Sequence, residues 1–110
     1  MIIISKDGDL VTLIDVFSCE PETQQALIDA WIRATEETLG KLPGIISAVL
    51  HRSNDGTRVV NYAQWKNAEA WDNLVQLVKT NCFKEMGKFA KPDAHLYEVC
   101  YVLDRTSESP

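Results

Sequence analysis

The sequence has little that would support a disulfide framework, a metal centre or a nucleic-acid surface. Its three cysteines, Cys19, Cys82 and Cys100, are odd in number and form no C-x-x-C pair. That excludes a disulfide scaffold and leaves burial as the default role of each thiol. The two histidines, His51 and His95, fall in separate segments without ligand spacing, so no metal site is expected. Positive charge is scarce: 11 Lys and Arg face 16 Asp and Glu, for a formal charge of −5. Neither nucleic acid nor an anionic membrane has an electrostatic reason to bind such a chain. The N-terminal apolar run is only Met1 to Ile4, too short for a signal peptide or a membrane span, and a cytoplasmic protein is expected. No repeat or linker interrupts the sequence, so one domain is expected over 1–110, with a core over about 10–103 and a polar tail over 104–110.

What is present is ordinary globular material, 45% apolar and 25% charged. Leu10 to Phe17 is an apolar, β-branched run after the Asp7-Gly8-Asp9 turn signal and predicts a first strand, with Asp15 inside it. A carboxylate there must be paired, solvated or raised in pKa, and a surface or interface position is expected for it. Glu20-Pro21-Glu22 predicts a helix start and Gly40 a left-handed stop near Leu39. Between them Leu27, Ile28, Trp31, Ile32, Thr35 and Leu39 recur at helical spacing as one apolar stripe. Leu42-Pro43-Gly44 turns the chain into a strand over Ile45 to Ser53, and Asn54-Asp55-Gly56-Thr57 predicts a hairpin into the next. Asn67 caps a second helix, Asn81 to about Ala90 predicts a further short one ended by Lys91-Pro92, and His95 to Leu103 predicts the last strand.

This order predicts an α+β, ferredoxin-like βαββαβ fold, a four-stranded antiparallel sheet with helices on one face. Val60, Tyr62, Leu96 and Val102 leave neither sheet face wholly polar, so a homodimer that pairs the bare faces is expected. The most informative stretch is Val59-Val60-Asn61-Tyr62-Ala63-Gln64-Trp65. Period-two alternation puts Asn61, Ala63 and Trp65 on one face, and a rise of about 3.3 Å per residue sets Asn61 and Trp65 roughly 13 Å apart. An amide and an indole with a small residue between them make a floor for a flat polycyclic molecule. The competing interpretation is that Asn61 satisfies a loop, and that Trp65, Trp31 and Trp71 are plain core residues.

The segments Leu42 to Ala48, Ser53 to Thr57 and above all Val59 to Trp65 resemble the antibiotic biosynthesis monooxygenase family of dimeric α/β barrels. The likeness runs from about Leu10 to Leu103 and is dense between Leu42 and Trp71. It implies a cofactor-independent monooxygenase that oxidises a polycyclic or quinol-like aromatic, with no cofactor and with dioxygen as co-substrate. It also implies substrate-site roles for Asn61 and Trp65, and for Trp71 where relatives usually carry a tyrosine. Lys84 and Lys88 lie in the region of the relatives' helical arginine, without its planar fork. On this reading Asn61 and Trp65 steady a substrate anion, Ala63 floors the site, and Trp31, Trp71, Phe83 and Phe89 wall it from water. Three alternatives stay open: a non-catalytic ligand-binding or stress-response dimer, an isomerase, and a haem-binding monooxygenase. The last would need a histidine between Asn67 and Ala90, where there is none.

Overall fold

A computed structural model describes residues 2–6, 8–78, 87–88 and 90–106, apart from the side chains of residues 39 and 76–78. The chain runs β1 (Val11–Ser18), α1 (Gln24–Glu37), a 3₁₀ turn (Leu39–Lys41), β2 (Ile45–Arg52), β3 (Arg58–Trp65), α2 (Ala68–Val78) and β4 (Lys91–Tyr97). The strands lie side by side in the order β2-β3-β1-β4, each pair antiparallel. This is the ferredoxin-like α+β arrangement, with both β1 and β3 inside the sheet. The short helix expected over Asn81 to Ala90 lies largely outside the described residues, as do Cys82, Phe83, Lys84 and Phe89.

Local chemistry explains most element ends. Asn67 Oδ1 accepts the Ala70 N–H at 2.9 Å and opens α2 as an N-cap does. The hairpin between β2 and β3 turns at Gly56, whose φ of 80° suits glycine and where an added Cβ would stand 3.0 Å from Pro21 Cβ. Gly44 has φ 94°, and its Cβ would come within 2.5 Å of Ala70 Cβ, so this turn presses directly on α2. Gln24, buried at the start of α1, donates from Nε2 to the carbonyls of Ser53 (3.2 Å) and Arg58 (3.0 Å). That amide ties α1 to the base of the hairpin.

Several expectations are corrected. Glu20 to Thr23 forms a turn closed by Thr23 N–H to the Glu20 carbonyl at 3.0 Å, and the helix begins only at Gln24. The buried stripe of α1 is rotated towards Ala30 and Ala34, which are buried, and leaves Ile32 44% exposed. Gly40 is not left-handed; its Cβ would fall 2.9 Å from the Thr35 carbonyl oxygen, so its lack of a side chain is what the 3₁₀ turn uses. The last strand starts at Lys91 and contains Pro92, which an edge strand tolerates because no inner ladder bond is lost. It ends at Tyr97, opposite Thr12, one residue from the start of β1 at Val11. Val102 therefore lies beyond the sheet, and Leu96, opposite Leu13, belongs to the helix-side register. Cys19 is half-buried, its thiol pushed up by burial and held 3.6 Å from the Gly56 carbonyl, whereas Cys100 is exposed.

The core sits between sheet and helices, where Leu13, Phe17, Leu27, Trp31, Val59, Ala63, Trp65 and Leu74 are buried together. The opposite face carries Ile14, Val16, Val49, Val60 and Tyr62, all half-buried in the single chain. Among the described residues, no helix is long and apolar enough to cross a membrane.

Candidate active site

Residues of one parity on β1 and β3 face the helices, and the β1–β3 ladder aligns Leu13 with Ala63, Asp15 with Asn61 and Phe17 with Val59. A cavity of about 280 Å³ opens over this patch, close to the lower end of small-molecule sites. Asn61, Ala63 and Trp65 from β3 form its floor, Trp31 enters from α1, and Trp71 and Leu74 enter from α2. Pro92 and Ala94 of β4 close the side beyond β1. Five of the six residues singled out from the sequence thus meet at one cavity, and the sixth, Phe83, lies outside the described residues. Lys88 is exposed.

The wall is apolar except at three points. Asn61 is 4% exposed and Trp65 1%, and neither Asn61 Oδ1 nor Trp65 Nε1 has a hydrogen-bond partner among the described residues. A buried polar atom left unpaired costs about 1–3 kcal/mol, so two of them on residues that line one cavity are groups that a polar guest would satisfy. The Trp65 indole can only donate, while the Asn61 amide offers an acceptor and, turned over, a donor. Trp71 stands edge-on to Trp65, with ring centroids 5.9 Å apart and planes at 68°, which holds the Trp65 ring in place.

The third point is Asp15, which sequence reasoning placed at a surface or interface. It is 9% exposed, lines the cavity and sits directly across the ladder from Asn61. Burial pushes its carboxyl up to about 6, against the opposing pull of the Asp93 backbone N–H, which its Oδ1 accepts at 3.2 Å. The available signal was parity, since Asp15 alternates with Leu13 and Phe17. Parity alone does not assign its face, because Ile14 and Val16 make the other parity just as apolar. His51 and His95 are both exposed on the far side of the sheet, and His95 Nε2 pairs with Asp93 Oδ1 at 2.8 Å. Among the described residues no group of three or more His, Cys, Asp or Glu could hold a metal ion.

Known proteins resemble this chain in sequence and in fold. The chain is 46% identical over 67 residues to the tetracenomycin-F1 monooxygenase of Streptomyces glaucescens, a match covering 61% of this chain and 60% of that enzyme. Among solved structures, a variant of SnoaB, a cofactor-independent oxygenase from Streptomyces nogalater, superposes with a TM-score of 0.73 at 18% identity, covering 87% of this chain and 98% of that one. The ActVA-Orf6 monooxygenase of Streptomyces coelicolor, solved with nanaomycin D, gives 0.68 at 24% identity, covering 86% and 90%. At those identities the structural likeness speaks for the fold. The profile of the antibiotic biosynthesis monooxygenases matches residues 10–79, a span that holds β1, α1, the hairpin, the whole floor of the cavity and α2, and the chain belongs to that family.

Proposed function

We propose that the protein is a cofactor-independent monooxygenase that oxidises a polycyclic, anthrone- or quinol-like aromatic with dioxygen. The observation that carries this reading is the pair of buried polar atoms, Asn61 Oδ1 and Trp65 Nε1, that have no hydrogen-bond partner among the described residues and belong to residues lining an otherwise apolar cavity. The monooxygenase activity named for the tetracenomycin relative supports the same reading. Such a substrate supplies the electrons itself once it has lost a proton, so the protein has to bind, orient and favour the anion. Trp65 N–H donates to an oxygen on which the negative charge develops, and the Asn61 amide fixes a second oxygen or hydroxyl. Ala63 leaves room for the ring system between them. Trp31 and Trp71 shield it from water, which strengthens each polar contact in the drier site.

Oxygen uptake by metal-free protein given dithranol tests this. Uptake above the spontaneous rate that falls with both Asn61→Ala and Trp65→Phe supports the assignment. Equal rates in all three proteins remove the two residues from the chemistry, and no enzyme-dependent uptake with any anthrone or quinol sinks the oxygenase.

The second part of the reading is a homodimer. Ile14, Val49, Val60 and Tyr62 form a continuous apolar face on the side of the sheet away from the helices, and Tyr97 at its edge is 47% exposed. A second copy related by a two-fold axis would cover that face. Sedimentation velocity is expected to give twice the chain mass, falling to one chain mass for Tyr62→Lys. A wild-type monomer at micromolar concentration removes the dimer.

A further inference from the structure

The proposed reaction begins with loss of a proton, and neither an amide nor an indole accepts one near neutral pH. Among the described residues that line the cavity, Asp15 is the one side chain that titrates. Its cross-strand neighbours are Asn61 on β3 and Ala94 on β4. Directly opposed residues in an antiparallel pair have Cβ atoms about 4.5–5.5 Å apart, so a guest seated on Asn61 lies within reach of the carboxylate. The Asp93 backbone N–H anchors Oδ1 at 3.2 Å, which fixes the group without neutralising it.

The charged groups near Asp15 are few. Asp93 and His95 of β4 lie on the far side of the sheet, paired with each other. The cavity-lining residues of α1 and α2 are uncharged, and Gly87 and Ala90 approach without charge. No cation faces the carboxylate across the cavity among the described residues.

We propose that Asp15 is the proton acceptor of this site, taking a proton from the ring methylene of the aromatic guest held by Asn61 and Trp65. The inference rests on the oxygenase reading above. The carboxylate removes one methylene hydrogen as a proton, and the electron pair left on carbon forms the C–O bond to dioxygen. The resulting peroxide anion takes the proton back from Asp15. The carboxylate then removes the second hydrogen, whose bonding pair becomes the C=O bond as the O–O bond breaks. Hydroxide leaves and takes the Asp15 proton as water. One CH2 has become C=O, one dioxygen has become the carbonyl oxygen and one water, and the carboxylate is restored. A carboxyl raised by burial to about 6 is ionised at pH 7 yet more basic than a solvated aspartate, which suits a general base.

The test separates the proton step from the oxygen step. Dithranol in D2O without oxygen is followed by NMR for loss of its methylene signal, and oxygen uptake is measured in parallel from pH 4.5 to 8, for wild type and Asp15→Asn. Wild type is expected to accelerate exchange with a midpoint near pH 6. Asp15→Asn is expected to lose 10²-fold or more in both exchange and uptake, while binding of the quinone product shows that the site is intact. Exchange undiminished in Asp15→Asn overturns the proposal. Uptake by wild type without enzyme-dependent exchange overturns it while leaving the oxygenase standing. Exchange without uptake supports Asp15 and overturns the oxygenase, and neither process overturns both. Should Asp15→Asn not fold, the wild-type exchange profile decides: a midpoint near 6 supports the proposal and a flat profile overturns it.

Discussion

Strand β3 carries two buried amides, three residues apart on opposite faces, and they are treated differently. Gln64, 5% exposed, is fully engaged: its Oε1 accepts from Ser47 Oγ at 2.8 Å, and its Nε2 donates to the Ile3 carbonyl at 2.7 Å. Asn61, 4% exposed, lines the cavity, and its Oδ1 has no partner among the described residues. The difference is geometric. On the Gln64 face the N-terminal segment and β2 bring complementary groups within reach, while the Asn61 face meets the apolar undersides of two helices. The Gln64 amide is tied at both ends to its own chain, whereas Asn61 Oδ1 has no such tie among the described residues.

Asn61→Leu gives the sharpest contrast. It replaces an amide whose Oδ1 has no partner among the described residues by an apolar group of similar shape, so stability is expected to stay level or rise, while dithranol-dependent oxygen uptake falls by about 10²–10³-fold, the scale of losing one preorganised polar contact in an active site. Urea denaturation beside turnover measurements checks both halves, and a stability loss above about 2 kcal/mol would recast Asn61 as structural.

Asp15→Asn comes next. A carboxyl raised by burial makes the folded state bind its proton more tightly than the unfolded chain, so its contribution to stability is present at low pH and is lost as pH rises through about 6. The neutral amide escapes this loss and can still accept the Asp93 N–H. The variant is expected to be more stable than wild type by about 1–2 kcal/mol at pH 8, discounted for solvent reaching the cavity, with the gap closing by pH 4. A gap independent of pH would break the comparison between the two faces.

Gln64→Leu is the mirror experiment. It strands the Ser47 hydroxyl and the Ile3 carbonyl, and a loss of about 1–2 kcal/mol is expected with turnover per folded molecule unchanged. A fall in turnover equal to that of Asn61→Leu would show that the two faces are not functionally separate. Smallest is the hairpin. Asp55 accepts from Thr57 Oγ1 at 2.6 Å, Thr57 N–H at 3.0 Å and Ser53 Oγ at 2.9 Å, and these bonds lower its carboxyl to about 2. Its contribution is present above about pH 4 and lost as pH falls towards 2. Asp55→Ala is expected to lower the melting temperature slightly at pH 7 and not at pH 2, as a thermal scan at both values would show.

The floor of the site was legible because it lies on a single strand. Asn61, Ala63 and Trp65 share a parity, and parity is a property of consecutive residues. The Asn67 cap and the Asn54 to Thr57 turn were legible for the same reason. Asp15 was misplaced because its role depends on standing opposite Asn61, 46 positions away, in a strand whose two faces are equally apolar. The rotated stripe of α1 was hidden likewise, since the burial of Ala30 and Ala34 is decided by how the helix packs.

The sequence by itself determined the element order, the hairpin and the shared face of the amide and the indole, since each follows from spacing and turn chemistry within a few residues. Only the tertiary structure decided which face of the sheet the helices cover, that a carboxylate joins that face, and that the Gln64 amide is bonded at both ends while Asn61 Oδ1 has no partner among the described residues. Pairing between distant strands and the packing of helices on them set those outcomes, and neither is written in any local period.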